Sequence, residues 1–213
     1  MSPAISAILV VSIAYLCGAL PWGLWLGRAL RGVDVRTMGS GNLGATNVYR
    51  SLGPGIGIAT LLLDIAKGAL PVAILPSTAV AASFPGGSEW VPIACGLAAV
   101  IGHMFTVFAG FQGGKGVATT VGVLLALSPA AFGVFAALFI GSVAITRWIS
   151  LGSILGSVGF AATLIAISPA GLRSPAALFG LAVAVLVIVR HRDNIGRLVR
   201  GQERRFEFRG GRS

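Results

Sequence analysis

Apolar residues run through this chain in long unbroken blocks, separated by short stretches rich in Gly, Ser, Pro and Arg. Strict alternation, the mark of a half-buried strand, is missing, so helix is the predicted element throughout. A helix needs roughly 20 residues to cross a bilayer. Measured that way, the blocks predict about seven segments: 4–27, 53–82, 90–109, 114–128, 130–147, 151–168 and 174–190. The Ser128-Pro129 pair either divides residues 114–147 into two helices or kinks one, whereas Ser168-Pro169 and Ser174-Pro175 bracket a short turn. No repeat of 20–50 residues appears and no polar stretch is long enough to fold separately, so residues 1–213 read as a single all-α, polytopic transmembrane domain.

Composition sharpens this. The 213 residues are 55% hydrophobic, with a mean hydropathy of +0.91 and only 10% charged, against roughly 25% charged in soluble domains. A net charge of +10 raises the question of nucleic acid. The basic residues sit at the ends of apolar runs, however, with no aromatic platforms between them, so nucleic acid is not an expected partner. They orient the bundle instead. Arg28, Arg31, Arg36, Arg50, Lys115, Arg147 and the eight basic residues from Arg190 onwards put 14 of the 16 Lys and Arg on one side. The positive-inside rule makes that side cytoplasmic, with the N-terminus outside and residues 190–213 a basic cytoplasmic tail. Its arginines Arg197, Arg200, Arg204 and Arg205 suit anionic headgroups of membrane lipids. The first basic residue is Arg28, so no signal-peptide n-region is expected. Cys17 and Cys95 lie in apolar spans as packing residues.

Two polar, glycine-rich stretches carry candidate chemistry: Gly39-Ser40-Gly41-Asn42-Leu43-Gly44-Ala45-Thr46-Asn47 and Gly110-Phe111-Gln112-Gly113-Gly114-Lys115-Gly116. Glycines let successive N–H groups converge on an anion, and Arg50 and Lys115 supply positive charge. The first matches Gly-x-Gly-x-x-Gly, but it follows a membrane span rather than a buried strand, which excludes a dinucleotide fold. The second is one residue short of a P-loop and has Gly116 where a magnesium-binding Ser or Thr belongs. What remains is two compact phosphate cradles, set against the plainer reading of a loop cap and an interfacial lysine. Gly113-Gly114 is expected to present backbone N–H groups, with Lys115 beside them.

Other polar positions are less specific. His103, near the end of an apolar span, reads as structural. Phe108 stands where a His-x4-Asp acyltransferase motif would have its aspartate. Asp64 and Lys67, three apart in one span, are expected to pair; function and packing are equally good explanations. Gly152 and Gly156, beside Ser153 and Ser157, follow the small-xxx-small spacing of close helix contacts. Two histidines with no Cys or carboxylate cluster make a zinc site improbable.

Three motifs in order resemble a known family. They are Gly39-Ser40-Gly41-Asn42-x-Gly44-Ala45-Thr46-Asn47-x-x-Arg50; His103-x-Phe105-x-Val107-Phe108 leading to Gly113-Gly114-Lys115-Gly116-Val117-Ala118-Thr119; and His191-x-x-Asn194-Ile195-x-Arg197-Leu198-x-x-Gly201-x-Glu203. Together they resemble the cytoplasmic motifs of the bacterial acyl-phosphate:glycerol-3-phosphate acyltransferases. The resemblance implies a seven-helix inner-membrane enzyme that moves a fatty acyl group from acyl-phosphate to the 1-hydroxyl of glycerol 3-phosphate. Its products are lysophosphatidic acid and inorganic phosphate, and it opens phospholipid biosynthesis. No metal, organic cofactor or obligatory protein partner is implied. Carried onto this chain, Ser40, Gly41, Asn42, Thr46 and the Gly113 and Gly114 backbone surround the acyl-phosphate group, with Gly44 and Asn47 also substrate-binding. Lys115 and Arg50 bridge the phosphates. His191 and Asn194 orient glycerol 3-phosphate, with Ser153 a weaker candidate, and either His191 or a substrate phosphate takes the proton. Two positions depart from the family: Thr106 stands where proline is common, and Gln112 where lysine is common. A transporter of phosphorylated metabolites is the competing reading; it would use the same loops as an anion gate.

Overall fold

The structure is a computed structural model that describes residues 1–207, so residues 208–213 of the expected basic tail lie outside the described residues. Its regular elements are helices: α1 (Pro3–Ala19), α2 (Trp22–Arg31), α3 (Ala45–Leu52), α4 (Pro54–Ile74), α5 (Trp90–Met104), α6 (Val117–Leu127), α7 (Pro129–Thr146), α8 (Ile149–Ile167), α9 (Pro175–Arg190) and α10 (Arg192–Val199). They fall into two compact units, Met1–Leu127 and a second that begins at Ser128.

Three helices start by one local rule. Ser2-Pro3, Ser128-Pro129 and Ser174-Pro175 each put a serine at the N-cap and proline at the first helical position. The serine side chains accept from the N–H groups of Ile5, Ala131 and Ala177 at 3.4, 3.3 and 3.1 Å. Proline there lacks only an N–H that would have had no helical partner. The Ser128-Pro129 pair therefore ends one helix and begins another.

Among the described residues, five helical stretches are long and apolar enough to cross a membrane: Pro3–Arg31, Pro54–Ser77, Trp90–Ala109, Pro129–Thr146 and Ile149–Ile167. The 60° bent pair α9–α10 makes a sixth if taken as one. The expected segment 114–128 is the 11-residue α6, shorter than a straight crossing requires.

In the first unit α4 is the hub, packing against α1, α2, α3, α5 and α6. Glycines set the closest approaches. A Cβ on Gly18 or Gly102 would overlap backbone across the α1–α5 contact, and one on Gly68 or Gly122 would overlap a carbonyl across α4–α6. Such contacts are how membrane helices gain packing energy where lipid offers no hydrophobic drive. The expected span 4–27 is broken at Pro21, which has no N–H to give the preceding turn. Carbonyls near the break find donors elsewhere: Lys67 Nζ reaches Leu20 O at 2.6 Å, and the Thr106 hydroxyl donates to Ala19 O.

In the second unit α8 lies between α7 and α9. Gly152 and Gly156 face α7, where an added Cβ would meet Phe139 O at 3.0 Å and the Phe135 ring at 2.8 Å; the small residues pack helices, as their spacing predicts. After α10 the chain turns back, and the Phe206 N–H donates to Arg147 O at 2.7 Å.

Candidate active site

The first glycine loop is organised by a side chain inside it. Asn47 is buried, and its Oδ1 accepts from the Ser40 N–H at 2.9 Å. Its Nδ2 donates to the carbonyls of Val35, Met38 and Asn42 at 3.3, 3.1 and 2.9 Å. Asn42 Oδ1 in turn accepts from the Gly44 N–H at 2.8 Å. Gly39 and Gly41 take left-handed backbone, with φ of 58° and 70°, which a Cβ would strain. The loop is thus pre-shaped before any ligand arrives. Asn47 and the Asn42 carboxamide oxygen, both expected at the substrate, are engaged in building the loop. Ser40 is exposed, Thr46 half-buried, and Arg50 exposed one turn further along α3.

Ahead of the loop, Asp34 binds Arg36 Nη2 at 2.6 Å and Arg28 Nη2 at 2.8 Å. The Arg36 hydrogen bonds, then Arg28, hold the Asp34 carboxyl well below the usual carboxylate range. The two arginines are thereby tied to a carboxylate on the rim of the loop.

The second loop folds back on the end of α5. Gly113 N–H donates to Met104 O and Gly114 N–H to His103 O, both at 3.1 Å. These two N–H groups were expected to face a phosphate; the structure commits them to carbonyls instead. A Cβ on Gly113 would overlap His103 O, and one on Gly114 would overlap His103 Nε2. The glycines serve close packing, and α6 begins directly after them, with half-buried Lys115 beside its N-terminus. Thr106 caps the turn: its Oγ1 accepts from the Phe108 N–H at 3.2 Å while its proton goes to Ala19 O. Gln112 is exposed.

Between the two loops lies a charged cluster that the sequence did not reveal as such. Lys67 Nζ binds Asp64 Oδ1 at 2.8 Å, with side chains 3% and 2% exposed. His103 Nδ1 lies 3.7 Å from the same oxygen. Asp64 Oδ2 is buried with no hydrogen-bond partner among the described residues. A small cavity is lined by Asp64, Lys67, His103 and Thr106 together with Leu43 of the first loop and Gly114 of the second. The Asp64–Lys67 pair follows the expected spacing. His103, read from sequence as merely structural, joins it only because α4 and α5 pack together, and no local motif signals that.

The second unit holds the third motif. His191 is 3% exposed, and its Nδ1 faces Val187 O at 2.7 Å. A carbonyl only accepts, so Nδ1 carries the proton in the neutral ring and Nε2 is the basic nitrogen. Asn194 donates to Glu203 Oε1, joined there by the Ser150 hydroxyl at 2.7 Å, while Arg197 Nε binds Oε2 at 2.7 Å. Burial pushes the Glu203 carboxyl up, but the hydrogen bonds from Ser150, Asn194 and Arg197 and the arginine charge outweigh it and leave it below its ordinary value. Ser153 gives its proton to Ile149 O at 2.8 Å within α8 and is 2% exposed. Ser150 and Glu203, not singled out as site residues, are the pair that holds Asn194.

Comparison with known proteins identifies the family. Residues 8–201 match the family model Glycerol-3-phosphate acyltransferase. A glycerol-3-phosphate acyltransferase of Geobacter sulfurreducens is 48% identical over 204 residues, covering 95% of this chain and 99% of the relative. One from Desulforudis audaxviator is 44% identical, covering 97% and 98%. The crystal structure of PlsY (YgiH), an integral membrane glycerol 3-phosphate acyltransferase, in its glycerol 3-phosphate form superposes with a TM-score of 0.83 at 40% identity, covering 95% of this chain and 96% of that one. Its lysophosphatidic acid form gives 0.81. This chain is a multi-pass integral membrane protein and belongs to the glycerol-3-phosphate acyltransferase family.

Proposed function

We propose that this enzyme takes its acyl group from acyl-phosphate and delivers it to the 1-hydroxyl of glycerol 3-phosphate, releasing lysophosphatidic acid and inorganic phosphate at the cytoplasmic face of the inner membrane. The observation that carries the reading is the meeting of two glycine loops on one cavity, through Leu43 and Gly114, with Lys115 next in the chain. Both substrates bear phosphate, which the glycine loop at 39–47 and the N-terminus of α6 beside Lys115 suit. The solved relative's glycerol 3-phosphate and lysophosphatidic acid forms support the acceptor and the product.

In this reading Ser40, Gly41, Gly44, Thr46 and the first turn of α6 hold the donor phosphate, whose charge the helix N-terminus favours. Lys115 and Arg50 stabilise charge as the phosphate departs. His191 and Asn194 orient the acceptor. The acceptor hydroxyl oxygen forms the new bond to the carbonyl carbon, the carbon–oxygen bond to phosphate breaks, and inorganic phosphate leaves with the electron pair, while the hydroxyl proton passes either to His191 Nε2 or to a phosphate oxygen of the substrate. Positioning supplies much of the rate, since the leaving group is already activated. The bundle crosses the membrane seven times, with α6 as the short crossing, N-terminus outside and basic tail inside.

Purified protein incubated with palmitoyl-phosphate and glycerol 3-phosphate is expected to form lysophosphatidic acid. Equal or faster turnover with palmitoyl-CoA would contradict the donor assignment. A cysteine introduced at Ser88 is expected to label from outside intact cells; labelling only after lysis would overturn the orientation.

A further inference from the structure

We propose that Asp64 and His103 are positioning residues for Lys115, acting through the Gly113-Gly114 pair. The inference rests on the reading of Lys115 as the phosphate-binding cation. His103 grips the second loop twice. Its carbonyl accepts the Gly114 N–H at 3.1 Å, and its ring fills the space where a Gly114 side chain would be. Lys115 follows immediately, so the height of the imidazole sets where the ammonium starts.

The other edge of that ring faces Asp64, which is held by Lys67 at 2.8 Å, and Lys67 is itself anchored to Leu20 O at 2.6 Å. A chain of contacts thus runs from the α1 break through α4 and α5 to the catalytic loop. A buried pair that served only to neutralise charge would need Asp64 and Lys67 alone. Here the carboxylate oxygen that binds the ammonium is also the one 3.7 Å from His103 Nδ1. Its second oxygen lies buried by a cavity that both glycine loops line. Retaining an ionised group at such depth is costly, and the cost falls next to the loop whose geometry catalysis needs fixed.

The test compares His103→Gln, Lys115→Gln and the double variant, all purified in detergent. Inorganic phosphate is the probe: it raises the thermal unfolding midpoint with the logarithm of one plus its concentration over Kd. His103→Gln is expected to keep a midpoint near wild type without phosphate. The phosphate concentration that gives a fixed rise should increase on the order of 10-fold, as should KM for palmitoyl-phosphate. In the Lys115→Gln background, adding His103→Gln is expected to change neither quantity further, because two residues acting through one contact are not additive. Unchanged phosphate binding in a folded His103→Gln protein, or fully additive losses, would overturn the proposal. Should His103→Gln fail to fold, the charge-balanced pair Asp64→Asn with Lys67→Met is read by the same phosphate titration against the same two outcomes. Because phosphate binding needs no acyl donor, a wild-type protein inert toward palmitoyl-phosphate would strike the donor assignment while the titration still decides this one.

Discussion

Replacing Glu203 by Gln probes the clasp that returns the tail to α8 and α10. The carboxylate accepts from Ser150 Oγ and Asn194 Nδ2 on one oxygen and from Arg197 Nε on the other, and its side chain is 6% exposed. Glutamine keeps the shape but has a single acceptor oxygen, so at least one donor is left facing an NH2 group. A hydrogen bond to a charged group contributes about 1.5–3 kcal/mol, and Arg197, 36% exposed, recovers part of its share from water. Local opening of the tail should therefore become easier by about 1.5–3 kcal/mol, an increase of about 10- to 100-fold in the open population. Trypsin cleavage after Arg200 and Arg204 reports that population when opening and closing are fast relative to cleavage. The expected result is cleavage faster by that factor, with Glu203→Ala faster still because Asn194 loses its acceptor altogether. A Glu203→Gln protein cleaved at the wild-type rate would refute the reasoning.

The same clasp is pH-dependent. Since the Glu203 carboxyl sits below its ordinary value when folded, its stabilisation is complete above that ordinary value and is lost as pH falls through the lowered one; tail proteolysis by an acid-active protease should rise over that fall in wild type but stay flat in Glu203→Gln. Lys115→Gln should lower turnover by about 10- to 100-fold without moving the unfolding midpoint, and Lys115→Arg should retain more, because a planar fork keeps the charge but not the geometry. Gly122→Ala should destabilise by about 1–3 kcal/mol by driving a methyl into Ile65 O, whereas Gly133→Ala, with open space around it, should be neutral or stabilising by up to about 1 kcal/mol; thermal unfolding of the pair checks both.

Much of the helical plan was legible because its signals are local. Ser-Pro pairs begin helices wherever they precede an apolar run, and run length alone marks most spans. The break inside the first span was not legible from hydropathy, which scores Leu20, Pro21 and Trp22 as one apolar stretch and ignores the missing N–H. The loops were visible as glycine clusters, but the partners of each N–H depend on what the loop packs against. Gly113 and Gly114 therefore looked like anion donors although they bond to Met104 and His103. Asn47 has the same difficulty: one carboxamide serves a ligand or a loop equally well, and only the three carbonyls around it decide. His103 and Asp64 lie far apart in sequence on different helices, and a lone histidine in an apolar run carries no mark of a distant carboxylate.

The break at Pro21 also bears on biogenesis. A polytopic chain leaves the ribosome N-terminus first, so α1 and α2 enter the bilayer before the residues that cap their break have been made. Leu20 O waits for Lys67 on α4, and Ala19 O for Thr106 beyond α5. Until then Leu20 O has the local Trp22 N–H at 3.1 Å, while Ala19 O turns to water or lipid headgroups, which favours a shallow, interfacial resting place for this stretch during synthesis. The first helix to be translated is thus expected to be among the last to settle at its final depth, once Lys67 and Thr106 have reached its break.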